Sequence, residues 1–131
     1  MFGADPEVQS WKILVVDDDE DNLNVASQFL RFMGAEVHTA VDGQSGLDVL
    51  KSFEPTFVLL DLSMPEMDGW EMHRRIRAEA STAHLPVIAL TAHAMPEDAE
   101  RAIADGFNGY ITKPFMLDSL LSNIKSCLAR I

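Results

Sequence analysis

The chain has 131 residues, of which 47% are hydrophobic and 24% charged, and its formal net charge is −11. This length fits one domain that buries roughly two thirds of its unfolded surface, while the acid excess argues against direct nucleic-acid binding and favours cations or partners with basic surfaces. A single cysteine excludes an internal disulfide, no apolar run approaches the ~18 residues of a membrane span, and no signal peptide is apparent, so we expect a cytoplasmic protein without membrane insertion.

The first part of the chain predicts an arm, a strand and a helix. Residues 1–10 lack hydrophobic periodicity, and we predict a flexible N-terminal arm there, followed by one domain over residues 11–131. Trp11–Val16 is an apolar run that predicts a strand. Asp19–Asn22 can cap a helix, and Gly34 suits its C-terminal end. The apolar positions between them that keep helical spacing are Leu23, Ala26, Phe29, Leu30 and Met33.

The middle of the chain contains the most informative stretch. Phe57–Leu60 is wholly apolar, ends at Asp61 and is followed by a turn rich in Pro and Gly, which is typical of a strand buried on both faces. Before it, the pattern predicts a strand over Glu36–Ala40 and a helix over Gln44–Ser52. After it, the pattern predicts a helix over Gly69–Ala80 with a basic outer side at Arg74, Arg75 and Arg77. It then predicts a strand over Leu85–Leu90, a helix from Pro96 to Gly106 and a strand over Gly109–Thr112. The last element is a helix over Met116–Arg130 whose core face includes Leu117.

This alternation predicts an α/β fold, a doubly wound parallel sheet of five strands with five helices and right-handed crossovers. The carboxyl ends of parallel strands meet at one edge of the sheet, where open α/β sheets bind ligands. Four of the strands are followed or ended there by polar residues: Asp17, Asp18, Asp61, Thr91 and Lys113. We therefore expect three carboxylates, a hydroxyl and an ammonium group to converge on that edge.

Three neighbouring carboxylates repel one another unless a cation joins them or one of them is protonated. Mg²⁺ is the cation that such hard oxygen ligands suit, and it binds through one or two carboxylates plus waters and phosphate oxygens. A carboxylate beside Mg²⁺ can attack phosphorus and form an aspartyl phosphate. Lys113 would add positive charge for the transferred group, and the Thr91 hydroxyl could bond one of its oxygens.

Four motifs resemble the receiver domain of two-component response regulators, in particular its chemotaxis-regulator-like, single-domain type. They are Ile-Leu-Val-Val-Asp-Asp-Asp (13–19), Leu-Leu-Asp-Leu-Ser-Met-Pro-Glu-Met-Asp-Gly (59–69), Leu-Thr-Ala (90–92) and Tyr-Ile-Thr-Lys-Pro-Phe (110–115). The match is collinear from about Lys12 to the C-terminus. The resemblance implies a flavodoxin-like sheet with strand order 2-1-3-4-5.

The resemblance also implies the roles of the site residues. Asp61 matches the phosphoacceptor. Asp17, Asp18 and the backbone carbonyl of Ser63 would bind Mg²⁺ together with it, Asp18 directly and Asp17 mostly through water. Lys113 would contact the phosphoryl group.

Further family features are implied around the site. Thr91 and Tyr110 match the pair that couples phosphorylation to the protein surface. The bond Lys113–Pro114 resembles the family's cis peptide. Ser63 and His93 occupy positions that tune dephosphorylation in the family.

The implied function is a signalling domain rather than an enzyme, promoting only its own phosphorylation and dephosphorylation. A histidine kinase or histidine phosphotransfer protein would donate the phosphoryl group, and a downstream protein target would read it. The protein would be a monomer or a weak, phosphorylation-dependent dimer.

Three alternatives remain beside this interpretation. The chain could be a receiver module excised from a hybrid histidine kinase. A phosphatase of the haloacid dehalogenase kind also uses an aspartyl phosphate, but it needs a second acid where Leu62-Ser63 follows Asp61. A flavodoxin-like cofactor carrier would need a phosphate-binding loop rich in Ser, Thr and Gly after the first strand, and none is present.

Several other residues receive structural interpretations. We expect His38, His73 and His84 at the surface, since they have no partner pattern. Cys127 falls near the core face of the last helix and is predicted to be inert. Trp70 opens the third helix close to the Asp61 loop, where it would serve as a probe.

Overall fold

The computed structural model describes residues 5–92, 96–113 and 116–131, so the family features implied for His93, Pro114 and Phe115 lie outside the described residues. The strands are β1 (Lys12–Val16), β2 (Glu36–Ala40), β3 (Phe57–Asp61), β4 (Val87–Thr91) and β5 (Gly109–Thr112). The helices are α1 (Glu20–Phe32), α2 (Gly43–Leu50), α3 (Gly69–Ala78), α4 (Pro96–Ala104) and α5 (Leu117–Leu128), and a short 3₁₀ helix spans Val8–Ser10. Within the described ranges no helix is both long enough and apolar enough to cross a membrane.

All five strands are parallel and lie in the order β2-β1-β3-β4-β5, as the sequence predicts. Every residue of β3 and β4 is buried, because helices cover both faces of the sheet at its centre. The register pairs Asp61 with Leu90 and Thr91 with Thr112. The ends of β3, β4 and β5 are therefore brought side by side at one edge.

The strand residues alternate between two hydrophobic layers. Ile13, Val15 and Leu59 belong to the layer that also contains core residues of α1 and α5. Leu14 and Leu60 belong to the opposite layer, beneath α2, α3 and α4. The helix residues that complete the layers are Leu23, Leu30, Leu120, Ile124 and Cys127 on the first side and Met72, Ile76 and Ala102 on the second.

Helix starts and stops follow local chemistry. The Asp19 carboxylate accepts hydrogen bonds from the backbone N–H groups of Asp21 and Asn22 and caps α1, as predicted. Asp42 and Asp68 cap α2 and α3 in the same way. Gly34, with φ of 116°, follows α1 in the left-handed conformation that glycine adopts readily.

The N-terminal segment is packed against the domain, in contrast to the arm that the sequence predicts. Val8 is fully buried within the α1 and α5 layer. The Asp5 N–H donates to the Met33 carbonyl at the end of α1, and the Asp5 carboxylate lies 3.0 Å from Nζ of Lys125 on α5. The prediction is wrong for Asp5–Ser10 because one apolar side chain and two polar contacts hold a segment too short to show periodicity.

Three other predictions are also wrong. His73 is buried, 2% exposed, because α3 turns it onto the ring of Phe107. Arg77 does not belong to an outer basic side, since its guanidinium donates to the carbonyls of Leu85 and Gly106. Leu117 is exposed, because it lies in the first turn of α5, ahead of the residues that reach the sheet.

Candidate functional site

The carboxyl edge of the sheet brings the predicted site residues together. Asp17 directly follows β1, Asp61 and Thr91 are the last residues of β3 and β4, and Lys113 directly follows β5. Asp17, Asp61 and Thr91 are all buried, with 1%, 2% and 5% exposure. Polar side chains buried this deeply at the ends of apolar strands indicate a site rather than a solvated surface.

The carboxylates form one cluster. Asp17, Asp18 and Asp61 each place an oxygen within 4.8 Å of the oxygens of the other two. Asp17 and Asp61 are buried, whereas Asp18 is exposed to solvent. The Asp17 carboxylate accepts a hydrogen bond of 2.9 Å from the Asp19 N–H, which fixes its orientation.

Lys113 is the cation of this cluster. Its Nζ lies 3.2 Å from Oδ2 of Asp17 and 3.5 Å from Oδ1 of Asp61, and its side chain is 13% exposed. Asp61 also accepts a hydrogen bond of 3.1 Å from the Ser63 N–H. Three carboxylates against one ammonium group leave an excess of negative charge at the edge of the sheet.

The environment of Asp61 opposes its ionisation. Burial, together with the negative charge of Asp17, raises the pKa of its carboxyl group to about 7. The Ser63 N–H and the Lys113 ammonium act in the opposite direction and lower the pKa. A divalent cation that joined the cluster would favour the ionised carboxylate in the same way as Lys113.

The donor set fits Mg²⁺. Hard carboxylate oxygens from Asp17, Asp18 and Asp61 suit this ion, which takes oxygen ligands and retains several waters. The exposed position of Asp18 leaves room for solvent on one side of the cluster. The role of the Ser63 backbone carbonyl as a further metal ligand stays a prediction.

Thr91 and Tyr110 lie on adjacent strands and on the same face of the sheet. Ala89 packs in the layer beneath α4, so Thr91, two residues further, points to that side. Ile111 packs in the opposite layer, so Tyr110 also points to the α4 side, where it is 39% exposed. The arrangement places the buried Thr91 hydroxyl at the carboxyl edge of the sheet and the exposed Tyr110 phenol nearer the start of β5.

The loop between β3 and α3 packs tightly onto Asp61. The Gly69 N–H donates to the Leu62 carbonyl at 3.1 Å, and a Cβ on Gly69 would lie only 2.7 Å from Cα of Leu62. Glu66 has a positive φ of 64°, which is unusual for a residue with a side chain. Sequence reasoning missed this conformation, although the turn residues around Glu66 indicate a tight loop.

Sequence reasoning also missed a contact between two helices beside the site. Arg101 on α4 places its guanidinium carbon 4.0 Å from the ring centroid of Trp70 at the start of α3. Phe107 packs edge-to-face on the same ring. The residues lie about 30 positions apart in sequence, and no motif or periodicity connects them.

A five-stranded parallel sheet of this order, with a cluster of three aspartates at its carboxyl edge, defines a flavodoxin-like α/β domain. The family model of the response regulator receiver domain matches residues 13–125 of the chain. The chain belongs to this family and is a receiver domain of two-component signalling.

Relatives and solved structures agree with this family. The polar-differentiation response regulator DivK of Brucella ovis is 32% identical, over 88% of this chain and 94% of that protein. The chemotaxis response regulator CheY4 of Vibrio cholerae has a solved structure with a TM-score of 0.83 and 30% identity, covering 88% of this chain and 97% of that one. The fold predicted from the sequence is therefore confirmed.

Other relatives are longer proteins. The DNA-binding dual master transcriptional regulator RpaA of Synechocystis is 34% identical over 91% of this chain, but the match covers 49% of that protein. The heme response regulator HssR of Staphylococcus epidermidis is 37% identical, and the match covers 51% of it. The chain spans about half the length of these two relatives.

Proposed function

We propose that this receiver domain accepts a phosphoryl group on Asp61 in a reaction that needs Mg²⁺, and that it signals through altered binding of a partner. The observation that carries the proposal is the buried Asp61 carboxylate, with Asp17 and Asp18 beside it and Lys113 at 3.5 Å. This set provides a nucleophile, a cation site and a positive side chain around one point.

In the proposed reaction, a carboxylate oxygen of Asp61 forms a bond to phosphorus while the bond from phosphorus to the donor's leaving atom breaks. Mg²⁺, when bound, supplies positive charge for the phosphoryl oxygens. Asp17 and Asp18 would hold it, with the Ser63 carbonyl as a further ligand. The burial of Asp61 keeps bulk water away from the reacting carboxylate.

Lys113 and Thr91 would contact the phosphoryl group. The ammonium group of Lys113 already lies within reach of both Asp17 and Asp61, so it would stabilise a charged oxygen placed between them. Thr91 ends the strand next to β3, at register positions adjacent to Asp61. Its hydroxyl would donate to another phosphoryl oxygen.

Signalling would use the surface built from α4, β5 and α5, with Thr91 and Tyr110 as the connection. A phosphoryl group adds roughly 1.5 to 2 negative charges and three acceptor oxygens. A Thr91 hydroxyl drawn toward it would leave space on the α4 side of the sheet, which the exposed Tyr110 ring could enter. The exposed surface around β5 would then change shape.

The proposed partners follow from this role. A histidine kinase or histidine phosphotransfer protein would donate the phosphoryl group, and a downstream protein would bind the switched surface. With a net charge of −11, the chain favours partners with basic surfaces. We propose that the domain acts in the cytoplasm, as a monomer or a weak phosphorylation-dependent dimer, and turns over only its own phosphoryl group.

A second candidate is a receiver module of a longer signalling protein, such as a hybrid histidine kinase. The observation that favours it is that the chain spans about half the length of the relatives RpaA and HssR. The chemistry at Asp61 would be the same in both cases. The source of the phosphoryl group and the output would differ.

The proposal can be tested with beryllofluoride, a mimic of the phosphoryl group, by ¹⁹F NMR in the presence of Mg²⁺. We expect a bound fluoride signal in the wild type and none in Asp61→Asn, which keeps the size of the side chain but removes the acceptor carboxylate. Asp118→Asn, an exposed acid on α5, is the matched control and should bind like the wild type. Equal binding by Asp61→Asn would contradict the proposal.

A further inference from the structure

Trp70, in the first turn of α3, contacts both α4 and the segment that follows it. The guanidinium carbon of Arg101 lies 4.0 Å from the centroid of the Trp70 ring, which is a cation–π contact. Phe107, only 3% exposed, packs edge-to-face on the same ring with centroids 5.5 Å apart. Trp70 therefore joins α3 to α4 and to the path into β5.

Trp70 is also fixed to the phosphoacceptor strand through its neighbour Gly69. The Gly69 N–H donates to the Leu62 carbonyl, and a Cβ at Gly69 would clash with the peptide that joins Asp61 to Leu62. Because only glycine permits this approach, the first turn of α3 lies directly on that peptide. Any displacement of the Asp61 backbone must move the first turn of α3, and Trp70 with it.

We propose that the contact between Arg101 and Trp70 restrains α4 against α3 and thereby opposes the phosphorylated arrangement of the domain. It would form a second connection between Asp61 and α4, besides Thr91 and Tyr110. The inference rests on the proposed function, since it concerns the response to a phosphoryl group at Asp61.

The direction of the effect follows from the geometry. In the structure the Arg101–Trp70 contact occurs together with a Tyr110 side chain that is 39% exposed. The proposal assigns the contact to this arrangement, in which Asp61 carries no phosphoryl group. A ligand that favours another arrangement has to overcome it, so loss of the contact raises the apparent affinity for that ligand.

The expected size is modest, because Arg101 is exposed to solvent. A cation–π contact at an exposed site corresponds to a factor of about two to five in an equilibrium constant. Removal of the contact should change the affinity by no more than this factor. The direction of the change, toward tighter binding, is the more informative result.

The experiment is a titration of beryllofluoride in the presence of Mg²⁺, followed by amide NMR signals of the Asp61 loop. We expect Arg101→Gln and Trp70→Leu each to lower the half-saturating concentration by about two- to fivefold. Because Trp70→Leu already removes the contact with Arg101, adding Arg101→Gln to it should cause no further decrease. Melting temperatures identify a variant that is only poorly folded, which would bind more weakly rather than more tightly.

Arg74→Gln is the matched control. Arg74 is an exposed arginine on α3 that pairs with Glu71, so this variant removes the same charge without removing the Arg101–Trp70 contact. Binding by Arg101→Gln that is no tighter than binding by Arg74→Gln would overturn the inference, as would additive effects in the double variant. Failure of the wild type to bind the mimic would instead overturn the proposed function, and the inference with it.

Discussion

Glu66 shows how tightly the loop around the phosphoacceptor is constrained. It lies between Pro65 and Met67 and adopts a φ of 64°, a region that residues with a side chain rarely adopt. A left-handed conformation costs roughly 1–2 kcal/mol in a residue with a Cβ. Glycine avoids this cost but loses roughly 0.5–1 kcal/mol through the flexibility of its unfolded state.

We therefore expect Glu66→Gly to be as stable as the wild type or slightly more stable. Glu66→Val should lower the free energy of unfolding, because a β-branched residue tolerates positive φ less well than Glu. Urea denaturation of the two variants measures both effects. A valine variant as stable as the wild type would show that this loop does not require the left-handed conformation.

The pKa of Asp61 results from opposing effects whose size cannot be read from the sequence. The motif predicts which residues surround it, because each follows a strand end. Asp17 and Asp61 are buried and Asp18 is exposed, a difference that the run of acids after β1 does not predict. The raised pKa of Asp61 depends on that burial and on Asp17 and could be argued only from the structure.

At the level of elements, α3 packs on Phe107 through the buried imidazole of His73. His73 stacks on Phe107 with ring centroids 4.0 Å apart, and its Nε2 has no hydrogen-bond partner among the described residues. Burial, together with the positive charge of Arg77, lowers the pKa of His73 to about 4, while Gly106 and Asp105 act in the opposite direction. The imidazole is therefore neutral in the folded protein above that pH.

This lowered pKa predicts that the protein loses stability in weak acid. Between the ordinary pKa of 6.5 and about 4, the unfolded state binds a proton at His73 that the folded state does not. The contribution of the neutral His73 imidazole to the free energy of unfolding is fully present above pH 6.5. It is lost as the pH falls toward 4, by at most about 3 kcal/mol. In His73→Phe, which keeps an aromatic ring on Phe107, the slope of unfolding free energy against pH should be smaller.

The measurement is chemical denaturation at several pH values across this window. His84→Gln is the matched control, since His84 is exposed and its replacement should leave the slope unchanged. A His73→Phe variant with the same slope as the wild type would show that His73 does not titrate differently in the two states.

The elements that the sequence predicts well are those with a strong local pattern. The β3 strand is an unbroken apolar run, and α1 has a cap, a stripe and a terminal glycine. The burial of Val8 and His73 depends on contacts with residues distant in sequence, which no local pattern shows: Val8 packs in the α1 and α5 layer, and His73 packs on Phe107. Leu117 keeps the helical spacing of the core face but lies in the first turn of α5, where it is exposed. The observed helix ends also differ by a few residues from the predicted ones, since local capping decides where each helix begins and ends.

At the level of the whole molecule, repulsion among the carboxylates at the carboxyl edge of the sheet lowers the stability of the folded state. Asp17, Asp18 and Asp61 lie together with Lys113 as their cation. Mg²⁺ that binds the folded state alone stabilises it by mass action. At ten times its dissociation constant, the ion should add about 1.4 kcal/mol to the free energy of unfolding.

We expect this to raise the melting temperature by a few degrees, measured by thermal denaturation with and without Mg²⁺. Asp18→Ala should remove most of the increase, because it takes away one of the proposed ligands. Asp48→Ala, an exposed acid on α2 remote from the cluster, should keep it. An equal increase in Asp18→Ala would place the ion elsewhere on this acidic protein.

The most direct test of phosphorylation at Asp61 is the intact mass of the protein after incubation with acetyl phosphate and Mg²⁺. We predict that the wild type gains a single phosphoryl group, that Asp61→Asn gains none, and that alkaline hydroxylamine removes the group, as it does from an acyl phosphate. A gain of mass in Asp61→Asn equal to that of the wild type, or a hydroxylamine-stable phosphoryl group on a serine or histidine, would contradict the account.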